Sequence, residues 1–255
     1  MRRNHSFLIP HRSFLRMVLA QTRVELMLAA RRAESVLVTM VIPAVLLVFF
    51  AFVPVASSGS QRGVDFLLPG ILALSVMSTA MVSLGIATAF ERQYRVLKRL
   101  GGSPLPRAGL LAAKLLAVLA TEVVQVALLV SIAALILGWR PAGNPVLALL
   151  GLLLGTAAFG GLGLWMAGAL RAEATLGVAN GMYLVLLLLG GILFPLSALP
   201  DPLAALAGLL PAAALSETVR ASLSPGASAP IGTLALLALW ALAMPLAAAM
   251  TFRWE

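Results

Sequence analysis

Residues 141–170 read P-A-G-N-P-V-L-A-L-L-G-L-L-L-G-T-A-A-F-G-G-L-G-L-W-M-A-G-A-L. After only Arg171, Ala172 and Glu173, residues 174–200 read A-T-L-G-V-A-N-G-M-Y-L-V-L-L-L-L-G-G-I-L-F-P-L-S-A-L-P. Neither stretch holds an Asp, Glu, Lys or Arg. A charged side chain at the centre of a bilayer costs roughly 2.5–3.5 kcal/mol on insertion scales. A charge-free run longer than the ~20 residues that cross ~30 Å of hydrocarbon therefore reads as a transmembrane helix. Working outward, the intervals 35–61, 66–90 and 221–252 are charge-free as well. A sixth span lies between Lys114 and Arg140, interrupted only by Glu122. The interval 202–216 is too short to cross and is punctuated by Pro202 and Pro211, which predicts a re-entrant or interfacial pair of short helices.

The composition agrees with a bilayer as solvent. Hydrophobic residues make up 61% of the 255, charged residues only 11%, and the mean hydropathy is +1.04, against about one quarter charged in soluble domains. The chain has no cysteine, which removes thiol catalysis, disulfides and Cys-ligated metals. Its basic excess, 18 Lys and Arg against 9 Asp and Glu, is distributed by loop rather than gathered on one solvated face. Seven Arg lie in the N-terminal segment (Arg2, Arg3, Arg12, Arg16, Arg23, Arg31, Arg32). Six basic residues lie between spans two and three, and Arg171 and Arg253 sit in the later loop and tail on the same side. The alternate side holds Arg62, Arg140 and Arg220. The positive-inside rule then predicts a multi-pass protein of the cytoplasmic (inner) membrane with both termini cytoplasmic, and argues against nucleic acid as a partner.

About 30 Arg-studded residues precede the first apolar run, which is not the pattern of a cleavable signal peptide. Arg12, Arg16 and Arg23 share one helical stripe, with Phe14, Met17, Val18, Val24 and Leu28 around the other side. That pattern predicts an amphipathic helix in the cytoplasmic interface, touching membrane lipid. The expected organisation is a tail and interfacial helix over 1–32 and a transmembrane domain over 33–255.

The loop between spans two and three reads F-E-R-Q-Y-R-V-L-K-R-L-G-G-S-P-L-P-R over 90–107. Glu91 suits a helix N-terminus, and Lys98 and Arg99 suit a C-terminus, with Gly101 as cap before Pro104. A self-contained helix over about 91–100 is predicted, with Tyr94, Leu97 and Leu100 forming an apolar stripe on a charged element.

The order E-R, L-x-R-L, a small loop with Pro, and a Lys opening the next span resembles the permeases of the type-2 ATP-binding-cassette exporters. In that family the segment is the coupling helix that docks on the ATPase. By position, Glu91, Arg92, Leu97, Arg99, Leu100, Pro104 and Lys114 match, and Tyr94 lies within the same helix. Arg95, Val96 and Lys98 depart from it, the first two standing where Gly and Thr are common. Residues 190–223, G-G-I-L-F-P-L-S-A-L-P-D-P-L-A-A-L-A-G-L-L-P-A-A-A-L-S-E-T-V-R-A-S-L, look like the family's fifth span and external re-entrant helices, with Pro195, Pro200, Pro211 and Arg220 in place. The expected re-entrant segment is about 196–222. The fold expected is an all-α integral membrane protein: six transmembrane helices, an interfacial N-terminal helix, and re-entrant helices between spans five and six.

The resemblance implies a permease subunit that exports drugs, lipids, glycolipids or other amphipathic compounds. It would work with two ATPase subunits and a second permease, identical or paralogous. Its pathway would lie at the interface of the two permeases, lined mainly by spans one, two and five. Polysaccharide export belongs to the same family.

No G-x-x-x-x-G-K-[ST] occurs, and the two lysines, Lys98 and Lys114, follow Leu97 and Ala113. ATP and Mg²⁺ are therefore expected in a partner chain, with no cofactor on this one. His5 and His11 lie in the tail, so a metal site at membrane depth is not expected and no enzymatic activity is read here. Glu122 is the one carboxylate inside a span. It reads either as a bonded carboxyl packed between helices near Thr121 or Gln125, or as a contact for a cationic substrate or proton on the pathway. A secondary transporter driven by an ion gradient is the rival reading, but Glu122 has no counterpart in the second half. Gly151 and Gly155 stand four residues apart, a spacing that lets membrane helices approach closely, first within the protomer. Pro43, Pro54 and Pro69 place kinks or ends in the first two spans.

Overall fold

The computed structural model describes residues 11–251 apart from 32, 53–62, 101, 103–104 and 227. Helix α1 (His11–Arg31) leads into α2 (Ala33–Phe52). Next comes one rod of 31 residues, Gly63–Gln93. It consists of α3 (Gly63–Val76), a π-helical segment (Met77–Ser83) and α4 (Leu84–Gln93). The short α5 (Val96–Leu100) precedes α6 (Arg107–Leu135), α7 (Pro145–Ala169) and α8 (Ala172–Leu189). A 3₁₀ turn (Leu196–Ala198), α9 (Asp201–Gly208), α10 (Pro211–Leu223) and α11 (Ile231–Thr251) complete the order. The Gly63–Gln93 rod, α6, α7, α8 and α11 are long and apolar enough to cross a membrane. Helix α2 adds a shorter apolar stretch, and α9 with α10 makes a further span only if the bent pair crosses as one, so the described residues hold five or six span-capable helices of an all-α integral membrane protein.

Glycine decides what packs at the centre. Helix α7 runs against α11, α10 and α4. A Cβ on Gly151 would lie 2.9 Å from Thr218, and one on Gly155 2.7 Å from Leu215, so both residues give room to α10. The predicted use of small residues for packing within the protomer is what the helices show. Asn144 starts α7 by accepting hydrogen bonds from the Val146 and Leu147 amides at 3.0 and 3.3 Å, with Pro145 in the first turn.

Helices α9 and α10 meet at 84°. Although α10 carries Ser216, Thr218, Arg220 and Ser222, all four are buried, because the helix is inserted among α3, α7 and α11. The re-entrant pair expected over 202–216 thus extends to Leu223, and Arg220 lies inside its second helix. Pro43 and Pro69 sit within α2 and α3, whereas Pro54 lies outside the described residues. In α1, Phe14, Met17 and Val18 of the face expected to meet lipid pack against the bundle instead, while Val24 and Leu28 are exposed. The rest of the bundle covers only a narrow stripe of α1, and a lipid surface would take the remaining apolar positions.

The loop after span two differs most from the sequence reading. No separate helix begins at Glu91: α4 continues to Gln93, breaks at Tyr94 and Arg95, and α5 restarts at Val96. Arg95 adopts φ +60, and its amide donates to the Arg92 carbonyl at 3.0 Å. A left-handed residue with a Cβ is disfavoured by roughly 1–2 kcal/mol. Arg95→Gly is therefore expected to stabilise the protein by about 1 kcal/mol, seen as a higher Tm in detergent, while Arg95→Ala, which keeps the Cβ, gains nothing.

Candidate functional site

Three elements converge on one lysine at the end of the bundle that carries α5. Lys114, near the start of α6, is 2% exposed. Its Nζ lies 2.6 Å from the Glu91 carboxylate of α4 and 3.1 Å from that of Glu25 in α1. Glu25 also accepts a hydrogen bond from Gln21 at 2.9 Å. An ammonium withdrawn from water needs such partners, because its desolvation costs several kcal/mol. Glu91 is thus not the opening charge of a docking helix. It is half of a buried clamp, and Glu25, missed in the sequence, is the other half. The available signal was that Glu25 is the one acidic residue of α1.

The other loop residues divide into internal and external. Arg92 donates to the carbonyl of Gly168 and, at 2.7 Å, to that of Leu170, holding the last turn of α7. Gln93 donates to Glu173 at 2.6 Å. Leu97 is fully buried in the main core, so it is not part of an outward stripe with Tyr94. The break at Arg95 takes the two residues out of a common helical register. Tyr94 is 69% exposed and stacks on Phe90 with ring centroids 6.1 Å apart; Val96 and Arg99 are exposed too. Pro104 and the side chain of Leu100 lie outside the described residues.

Beside the clamp is a cavity of about 530 Å³ between α1, α2, α4 and α6. Glu25, Glu91 and Lys114 line one part of it, Thr39, Thr79 and Thr121 another, and Leu84, Phe90 and Val118 supply apolar wall. Glu122 is not among its lining residues. It is buried between α6 and α7, where one carboxyl oxygen contacts Thr156. The Thr156 hydroxyl has a single hydrogen and also reaches the Leu152 carbonyl at 2.9 Å. Neither neighbour expected from the sequence holds Glu122: Thr121 donates to Ala117 and Gln125 to the Thr39 carbonyl of α2. Gln125 also accepts from Thr79 at 3.1 Å, which ties α6 to both α2 and the π-helical segment.

At the opposite end of the bundle, Arg220 donates to the Gly191 carbonyl at 2.7 Å and pairs with Glu217. Its guanidinium sits 4.0 Å from the centroid of the Phe66 ring. The re-entrant helix is thereby joined to α3 and to the turn after α8. Pro195 precedes the 3₁₀ turn, Pro200 precedes α9, and Pro211 is the buried first residue of α10. These three shape the segment and bring no polar group to a site.

A comparison with curated proteins finds no match. The family model described as ABC-2 type transporter matches residues 17–223, from α1 through the end of α10. That range takes in the clamp, the break before α5 and the re-entrant helices, and the chain belongs to the ABC-2 type transporter family, as a membrane permease of an ABC exporter.

Proposed function

We propose that the chain is the permease of an ATP-driven exporter in the cytoplasmic membrane, with both termini and α5 on the cytoplasmic side. It pairs with a second permease, identical or paralogous, and with two ATPase subunits that bind ATP and Mg²⁺. The cargo is a hydrophobic or amphipathic compound such as a drug, lipid or glycolipid.

The observation that carries this reading is the way α5 is anchored. Its junction with α4 presents Tyr94, Val96 and Arg99 outward. The adjoining turn is bolted inward by Arg92 to the end of α7, and by Glu91 through Lys114 to α6 and α1. A push on α5 is thus delivered to several helices at once, as ATP-driven closure of a partner requires.

The chain solubilised from its native membrane should carry an ATP-binding subunit, detected by azido-ATP photolabelling. Tyr94→Asp with Val96→Asp, both at exposed positions, should reduce the co-purified subunit by about tenfold, because a charge without a partner in an apolar contact costs more than 1.4 kcal/mol. Gradient-driven uptake by the purified chain alone would overturn the proposal.

A further inference from the structure

We infer that the cavity beside the Lys114 clamp is a binding site for cationic amphiphiles, molecules with one ammonium group and an apolar body. The inference rests on the exporter reading and narrows its cargo. At about 530 Å³ the cavity lies within the range of drug-sized ligand sites. Among the described lining residues two carboxylates, Glu25 and Glu91, face it with a single ammonium, Lys114, one formal negative charge in excess. Arg92, the nearest other cation along α4, is turned away onto the carbonyls of Gly168 and Leu170.

The hydroxyls make the same selection. Thr79 gives its hydrogen to Gln125 and Thr121 gives its hydrogen to Ala117, so what each offers the cavity is lone pairs. These acceptors, beside the excess carboxylate, suit a hydrogen-bond donor that carries positive charge and disfavour anions. Leu84, Phe90 and Val118 supply surface for the apolar body, and an aromatic face beside an ammonium adds attraction. Glu91 and Tyr94 line the cavity and lie immediately before α5. An occupant therefore touches the element on which the ATPase is proposed to act.

The test uses the full chain in phosphatidylcholine nanodiscs, with empty discs subtracted. The probes are N-dansyl-1,10-diaminodecane, which ends in a primary ammonium, and its N-acetyl derivative, which has the same body and no charge. The ammonium probe should bind saturably and about tenfold tighter than the acetylated one. Glu25→Gln, which leaves the Lys114–Glu91 pair in place, should bring the two probes close to parity by weakening only the ammonium probe. Ala87→Trp, which fills the cavity, should weaken both by about tenfold. Equal affinity of the two probes for the unmodified chain, an equal effect of Glu25→Gln on both, or unchanged binding to Ala87→Trp would each overturn the inference. Absence of an ATP-binding subunit from the native complex would count against the exporter reading alone.

Discussion

Lys114→Met is expected to destabilise the protein by about 3–5 kcal/mol, because it leaves two carboxylates facing each other with no cation between them. Their side chains are only 12% and 13% exposed, so water screens the remaining pair poorly. Methionine fills much of the lysine volume, which separates loss of charge from loss of packing. Adding Glu25→Gln and Glu91→Gln to Lys114→Met should recover most of the loss, since the triple variant has no unpaired charge. Thermal unfolding in detergent distinguishes the three proteins. A single variant that melts with the unmodified chain would show that the clamp does not hold α1, α4 and α6 together.

Gly163→Val should also have a large effect, for a steric reason. A Cβ at Gly163 would lie 2.6 Å from the Met81 carbonyl oxygen and 3.0 Å from that of Ala80, both main-chain atoms of the π-helical segment. Main chain cannot rotate aside as a side chain can, so α7 must separate from the rod Gly63–Gln93. Overpacking of this kind costs about 1–3 kcal/mol in ordinary cores, and we expect the upper end or beyond, with loss of monodisperse protein in size-exclusion chromatography. Gly177→Ala on α8 is the control. Nothing lies within 4 Å of the added methyl, and the change should be neutral or stabilising by up to about 1 kcal/mol through helix propensity. Equal behaviour of Gly163→Val and Gly177→Ala would mean that α7 and the π-helical segment are not in contact.

The spans could be read from the sequence because the cost of a charge in hydrocarbon is large and local. Intervals without Asp, Glu, Lys or Arg therefore locate the helices, although not their ends: the interval 174–200 runs past the end of α8 at Leu189, and 221–252 begins before α11 at Ile231. The loop after span two was harder, since its arrangement depends on what lies across from it. Nothing in the chemistry of arginine announces a left-handed backbone at Arg95, and without that break Tyr94 and Leu97 fall on one stripe. The burial of Leu97 follows from the bundle surface it meets, which periodicity within five residues cannot specify. The clamp joins residues 89 and 23 positions apart, and a lone glutamate in an arginine-rich helix gains meaning only when α1 is laid against α6. For Glu122, sequence left two readings, and the neighbour that matters, Thr156, belongs to another helix.

One uninterrupted helical rod carries Phe66 beneath the Arg220 guanidinium at one end and Glu91 in the clamp at the other. The two ends of the bundle are therefore joined by a single continuous helix rather than by a chain of separate elements. Midway along it, over the seven residues from Met77 to Ser83, the hydrogen bonds skip an extra residue and the helical turn is wider.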